Sequence, residues 1–399
     1  MAGIGVATYL AVRELSDGED EAPAPLVVAS RGGSEEAGKA EELGFPAFAT
    51  KNTTRVGGAD AAANAAGVAL ATFPSAGGTE RPAAVTLVRS SDWEAAIAAS
   101  VLVSDPIGAP VLLGEPDAVP EETETAIDSL RPEGAAETSD AQVLRIGDVR
   151  VPDGLRAIDV AGDDPARIAN AVDRLRQRLT EQEPGNLLLV SAEDPGFAMP
   201  AAAWAARSGD PILFVERNAV PSATTEALKR HKRTPVFVLG PESVVSDEVI
   251  AEVEKKAPAV ERISADDAVS NAVEFARFDA GSFGWNIADP GHGLVIADAS
   301  RPLDAAAAAP LSASGKWGPL LLTDDPDDVP EALRGYLLDI KPGYRDDPTR
   351  AFYNHAWLIG NDDALSVGFQ AEVDDLLELV RIQPPATDAE AGEPESEPR

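Results

Sequence analysis

Twelve side chains in this sequence have the types and settings to hold a ligand: Arg55, Asp60, Asn64, Arg89, Asp92, Trp93, Asn170, Arg262, Asp267, Asn271, Arg301 and Asp304. A guanidinium group makes charge-assisted, two-pronged hydrogen bonds to phosphodiester or carboxylate oxygens. Hydroxyls and carboxylates in turn match sugar hydroxyls. Such groups recur in three polar turns, each placed after a short apolar run: Arg89-Ser90-Ser91-Asp92-Trp93, Ser191-Ala192-Glu193-Asp194 and Asp298-Ala299-Ser300-Arg301. Trp93 can stack on a sugar ring; its plainer role is to cap a core. Asn64, Asn170 and Asn271 each precede alanine at one matching place, which predicts an equivalent hydrogen bond in each copy, with an interface or helix-end bond as the plainer alternative.

Catalytic chemistry finds little material. Cysteine is absent and only three histidines occur, His231, His292 and His355. That removes disulfides and thiolate catalysis and leaves acid–base work short of its commonest agent. Gly57-Gly58 lacks the remaining spacing of a phosphate-binding loop, and there is no Gly-x-Ser-x-Gly elbow. His292, in the turn Asp289-Pro290-Gly291-His292-Gly293, is read as structural. The run Asp324-Asp325-Pro326-Asp327-Asp328 lacks the alternating spacing of a calcium loop and reads as a solvated turn. No catalytic residue, metal site or cofactor is assigned.

The formal net charge of −35 over 399 residues argues against nucleic-acid binding, because phosphates would be repelled. It also disfavours anionic surfaces unless cations bridge them. Solubility, or adaptation to high salt, is its plainest meaning. No stretch approaches the roughly 20 apolar residues of a membrane span. Residues 1–24 form an apolar segment and an acidic tether, read as an ordinary helix or as the end of an incomplete membrane anchor. Residues 25–54 form a βαβ-like lead, and 384–399 a disordered acidic tail.

Between them one pattern occurs three times. Buried-strand candidates open equivalent blocks at Val85, Leu187 and Leu294, each followed by a polar turn and an alanine-rich helical run. A small residue or Asp, then proline, leads a second strand at Pro110, Pro211 and Pro319. Val-Pro follows at Val119, Val220 and Val329, where proline suits the first turn of a helix. A strand ending in Gly147, Gly240 or Gly360 closes each block, and an amphipathic helix carrying Asn-Ala precedes it. Repetition at about one hundred residues marks triplication. The expected fold is α/β: three tandem Rossmann- or flavodoxin-like modules with parallel sheets, at 55–154, 155–259 and 260–383, in a pseudo-threefold arrangement.

These landmarks resemble the cell wall binding repeat family, type 2, which occurs as three tandem copies on surface proteins. Its opening Arg-Ile-x-Gly-Ala-Asp-Arg is met by Arg55-Val56-Gly57-Gly58-Ala59-Asp60 and by Arg262-Ile263 with Asp267. Its Gly-Ala-Pro-Ile-Leu-Leu strand is met by Gly108 to Leu113, its Asp-Ala-Leu-Ala-Ala-Ala-Pro turn by Asp304 to Pro310, and its closing Ala-Val-Ser by Val244 to Ser246 and Ala364 to Ser366. Ala95 and Phe197 align with Asp304 in the other copies. The resemblance implies an extracellular protein of the cell wall or surface that holds an anionic wall polymer or polysaccharide, directly or through divalent cations. Arg55, Arg89 and Arg301 would bind it and Asp60, Asp267 and Asp304 would orient them. A structural surface-layer or spacer protein, and an intracellular enzyme on nucleotide-sugars or phosphate esters, are the alternatives.

Overall fold

Runs such as Leu187–Ser191 and Val111–Gly114 are buried along their whole length, so they require a sheet covered on both faces. The computed structural model describes residues 49–56, 58, 60–73, 81–313 and 317–382. The terminal segments 1–24 and 384–399, and all of the lead before residue 49, lie outside them. The first copy runs β1 (Thr53–Val56), α1 (Ala61–Thr72), β2 (Val85–Arg89), α2 (Trp93–Ala99), β3 (Val111–Gly114), α3 (Glu121–Leu130) and β4 (Val143–Ile146). The second runs β5 (Ala157–Val160), α4 (Pro165–Thr180), β6 (Leu187–Ser191), α5 (Pro195–Ser208), β7 (Ile212–Val215), α6 (Ser222–Arg230), β8 (Val236–Leu239) and α7 (Asp247–Glu254). The third runs β9 (Val260–Ile263), α8 (Ala268–Arg277), β10 (Gly293–Asp298), α9 (Leu303–Ala313), β11 (Trp317–Thr323), α10 (Glu331–Asp339), β12 (His355–Ile359) and α11 (Val367–Leu376). The fold is the expected α/β type with parallel sheets.

Three four-stranded parallel sheets form, in the orders β3-β2-β4-β5, β7-β6-β8-β9 and β11-β10-β12-β1. The strand heading each copy therefore joins the sheet before it: β5 pairs with β4 and β9 with β8. β1 has no earlier copy and pairs with β12 of the third, Thr53 beside Ala356 and Val56 beside Ile359. The sheets thus straddle the divisions drawn at 55, 155 and 260. Each edge position is filled by the next segment of chain to return alongside the third strand, and the first strand fills the last vacancy.

Helices α2, α5 and α9 meet between the sheets, and each first helix packs on the central helix of its neighbour: α1 on α9, α4 on α2, α8 on α5. Alanine allows that approach, and Ala201 to Ala203 and Ala305 to Ala309 are at most 1% exposed. A helix buried on all sides must be apolar all round. α1 meets the same condition over Ala62 to Ala69, all buried, so the amphipathic helix expected there is instead enclosed along most of its length. Aromatic contacts reinforce two of the joints: Trp93 meets Phe214 edge-on at 5.9 Å, and Trp204 meets Phe283 at 4.8 Å. α4 is fixed to α6 by a buried polar clamp. Asp173, fully buried, accepts from Arg230 at 2.5 Å and faces His231 Nε2 at 2.8 Å. No described helix is long and apolar enough to cross a membrane.

Two outcomes follow from this packing. Replacing Ala202 or Ala307 with leucine overfills the central joint and should lower unfolding free energy by about 1–3 kcal/mol in urea titration. Burial alone would raise the Asp173 carboxyl, but His231 and Arg230 hold it below its ordinary value. A depressed folded value adds stability above the unfolded value, near pH 4, that is lost as pH falls through the folded one. Urea midpoints should drop more steeply below about pH 4 for the natural chain than for Asp173→Asn.

Candidate functional site

Several of the twelve candidate residues hold the fold itself. Arg55 is 2% exposed and donates to the carbonyls of Gly360 (3.2 Å), Asn361 (2.9 Å) and Ser366 (3.3 Å) and to Gln370 Oε1 (3.1 Å). Arg262 occupies the same strand position at the head of the third copy and donates to the Gly240 carbonyl at 2.8 Å and to Asp247 at 3.1 Å. Both arginines, expected to meet a ligand, instead pin an edge strand to the glycine turn of its neighbour. The glycines belong to the same device: Gly240 (φ 113°) and Gly360 (φ 108°) adopt a conformation that side chains resist. At the head of the second copy the position is Asp159, which pairs with Arg145 at 2.7 Å.

The aspartates of the opening motif are helix caps. Asp60 accepts from the Ala62 and Ala63 amides (2.9 and 3.0 Å), Asp164 from Arg167 (2.8 Å) and Asp267 from Ser270 (2.8 Å). Gly58 precedes the first cap because a Cβ there would lie 2.5 Å from Ala63 Cβ. Ser246 and Ser366 of the closing motif cap α7 and α11. Asp92 caps α2 through the Ala95 amide at 3.0 Å.

The three asparagines make three different bonds rather than one. Asn64 donates to Asp304 at 3.0 Å, Asn170 accepts from Arg230 at 2.7 Å, and Asn271 accepts from the Ala265 amide at 3.0 Å. The reason lies in the neighbouring copy. Asp304 is the second residue of α9, where α2 has Glu94 and α5 has Gly196. The turn before α9 is one residue longer than its counterparts, which is why simple alignment set Ala95 and Phe197 opposite Asp304.

One cleft gathers what remains. It lies between the first and third copies, beyond the carboxyl ends of β2 and β10, with a volume of about 480 Å³. This is where open parallel sheets present ligand sites. Ser90, Ser91 and Trp93 form one wall, and Ser300, Arg301 and Asp304 the other, with Asp60 between them. Arg301 Nε donates to Asp304 Oδ2 at 2.7 Å, and Asn64 Nδ2 donates to Asp304 Oδ1 at 3.0 Å. Full burial pushes the Asp304 carboxyl up from its ordinary value, and Arg301 and Asn64 pull it back only in part. The two terminal nitrogens of Arg301 have no acceptor among the described residues. Trp93 is half-buried, so one face packs while the rest meets the cleft. Arg89 ends β2 beside this region but does not line it. Sequence reasoning missed Glu115 and Pro120, which complete the lining from the end of β3. Their signal was positional only: they follow a second strand whose carboxyl end faces the same crevice.

Elsewhere, His292 Nε2 lies 3.3 Å from Asp289 at the surface. Asp325 accepts from the Asp327 and Asp328 amides, so the acidic run folds as a local turn. Among the described residues no group of three His, Asp or Glu side chains is placed to hold a metal ion.

Arg55→Ala strands several buried carbonyls and should cost about 2–4 kcal/mol in urea unfolding, with Arg55→Lys restoring only part of it because one ammonium cannot span the same acceptors.

Comparison with known proteins fits this architecture. The family described as Cell wall binding domain 2 (CWB2) matches residues 160–250, the span from the end of β5 into α7. Among solved structures, Cwp8 from Clostridium difficile has 19% sequence identity and a TM-score of 0.63, over 82% of this chain and 52% of that one. Cwp6 from Clostridium difficile has 15% identity and a TM-score of 0.68, over 92% of this chain and 54% of that one. The likeness is one of fold, and the chain spans about half the length of each. No curated protein matches. Residues 160–250 thus resemble the cell wall binding domain 2 family, and the solved structures share the fold of the chain that carries them.

Proposed function

We propose that the chain is non-catalytic and holds a cell-wall polymer non-covalently in the cleft between its first and third copies. The observation that carries this reading is the fixed guanidinium of Arg301. Asp304, itself held by Asn64, anchors its Nε edge, and Arg301 lines the cleft together with the serines and indole of the opposite wall. A group held so firmly loses little freedom on binding, and its fork matches the two oxygens of a carboxylate or phosphodiester. Ser90, Ser91 and Ser300 suit the hydroxyls of adjoining sugars, and Trp93 offers an apolar face.

Asp60 and Glu115 beside Arg301 limit the negative charge this cleft accepts. The polymer segment held there is a glycan with one acidic group in reach of Arg301 and neutral sugars around it, and divalent cations would ease the approach of its other charges. The purified chain should co-sediment with isolated cell walls, more strongly with calcium present. Arg301→Ala, checked for an unchanged melting temperature, should weaken that binding at least about tenfold, or 1.4 kcal/mol. Equal retention of both proteins, or no retention of the natural chain, overturns the reading.

A further inference from the structure

The second copy carries a charge pattern that the other described copies lack. α4 and α6 pack side by side, and the two helices with the turn after α6 bring together Arg167, Arg174, Arg176 and Arg178 with Lys229, Arg230, Lys232 and Arg233. The only carboxylates on the two helices are Asp173, which is buried, and Glu226. Arg174 reaches Glu226 across the joint at 3.7 Å, and a shallow groove of about 280 Å³ runs there between the helices. One turn further along stand Arg178 on α4 and Lys229 on α6, with Lys232 and Arg233 just beyond. These four are exposed, and none has an acceptor among the described residues.

The fold does not require this charge. The equivalent helix of the first copy, α3, occupies the same place with Glu121, Glu122, Glu124 and Asp128. The helix C-terminal dipole favours a cation in the last turn, which accounts for Arg178 and Lys229 but not for Lys232 and Arg233, which lie past the helix. Like charges in adjoining turns repel. On a chain of net charge −35 this cluster keeps an excess of cations although Glu181 and Glu183 lie beside it, Glu183 facing His231 Nδ1 at 3.1 Å.

We infer that the α4–α6 face, around Arg178, Lys229, Lys232 and Arg233, is a docking surface for a polyanion whose repeating groups are phosphates or carboxylates. It rests on the wall-polymer reading, to which it adds a second contact. The acidic cleft takes a segment with one anionic group, while this face takes a stretch with several. Attraction comes from neutralised charge and released counterions, so it depends on salt and tolerates variation in the sugar.

The test uses the whole chain with soluble inorganic polyphosphate, with neutral dextran of similar length as control, in the absence of divalent cations. The natural chain should bind polyphosphate and not dextran, with affinity falling at least about tenfold between roughly 50 and 200 mM salt. The variant Arg178→Gln/Lys229→Gln/Lys232→Gln/Arg233→Gln should lose at least about tenfold in affinity, whereas Arg178→Lys/Arg233→Lys should retain it, because charge rather than fork geometry is read. Equal polyphosphate affinity in the natural chain and the quadruple variant overturns the proposal. So does self-association of the natural chain that the quadruple variant loses, without polyphosphate binding, since a second copy would then be the partner. Arg301→Ala should leave polyphosphate affinity unchanged, so failure of the cleft and failure of this face register in different measurements.

Discussion

Closure of the third sheet by the first strand is the constraint from which the rest of the structure follows. Each sheet takes a fourth strand from beyond its own block, and β1 supplies it to the last. Because Thr53–Val56 and His355–Ile359 are some three hundred residues apart in sequence, the chain must bring its ends together before that sheet is complete. Arg55 makes the junction specific. Its donors reach the glycine turn and the start of α11, so the strand can seat in one register without stranding a buried charge. The same closure sets α1 against α9, and it is this contact that shapes the cleft.

The central joint explains why the copies could diverge and still fit. Three alanine-rich helices meet there, so geometry is preserved largely by small side chains rather than by matching polar pairs. Around this joint, interfaces are individual. One is sealed by Trp93 against Phe214, one by Trp204 against Phe283, and one by the Asn64–Asp304–Arg301 chain. Only the last brings a charged, partly unsatisfied group to an open crevice. The clefts between copies are therefore unequal, with one firm guanidinium rather than three.

Electrostatics divides the surface in a way net charge conceals. A chain of −35 should repel an anionic wall. Yet local fields act over about a Debye length, roughly 8–10 Å in physiological salt, so a cationic face on α4 and α6 acts largely free of carboxylates on the other copies. That face belongs to the segment that matches the cell wall binding family.

Much of this was legible in the sequence. Apolar runs bounded by Pro and Gly placed the strands, and their threefold recurrence fixed the α/β class, because both signals depend on local period and composition. Of the polar turns after β2 and β10, Ser90, Ser91, Trp93, Ser300 and Arg301 line the cleft. What each motif residue does was not legible. Arg55 and Arg301 look alike in sequence, yet one is buried among carbonyls and the other faces solvent, a difference set by the segment each meets hundreds of residues away. The aspartates Asp60 and Asp267 were conspicuous because they cap helices, a local duty that a binding role would mimic. The matched asparagines parted company for the opposite reason: their partners come from neighbouring copies that have changed independently. Local propensity decided the elements, and long-range packing decided which polar atoms were left over to bind anything.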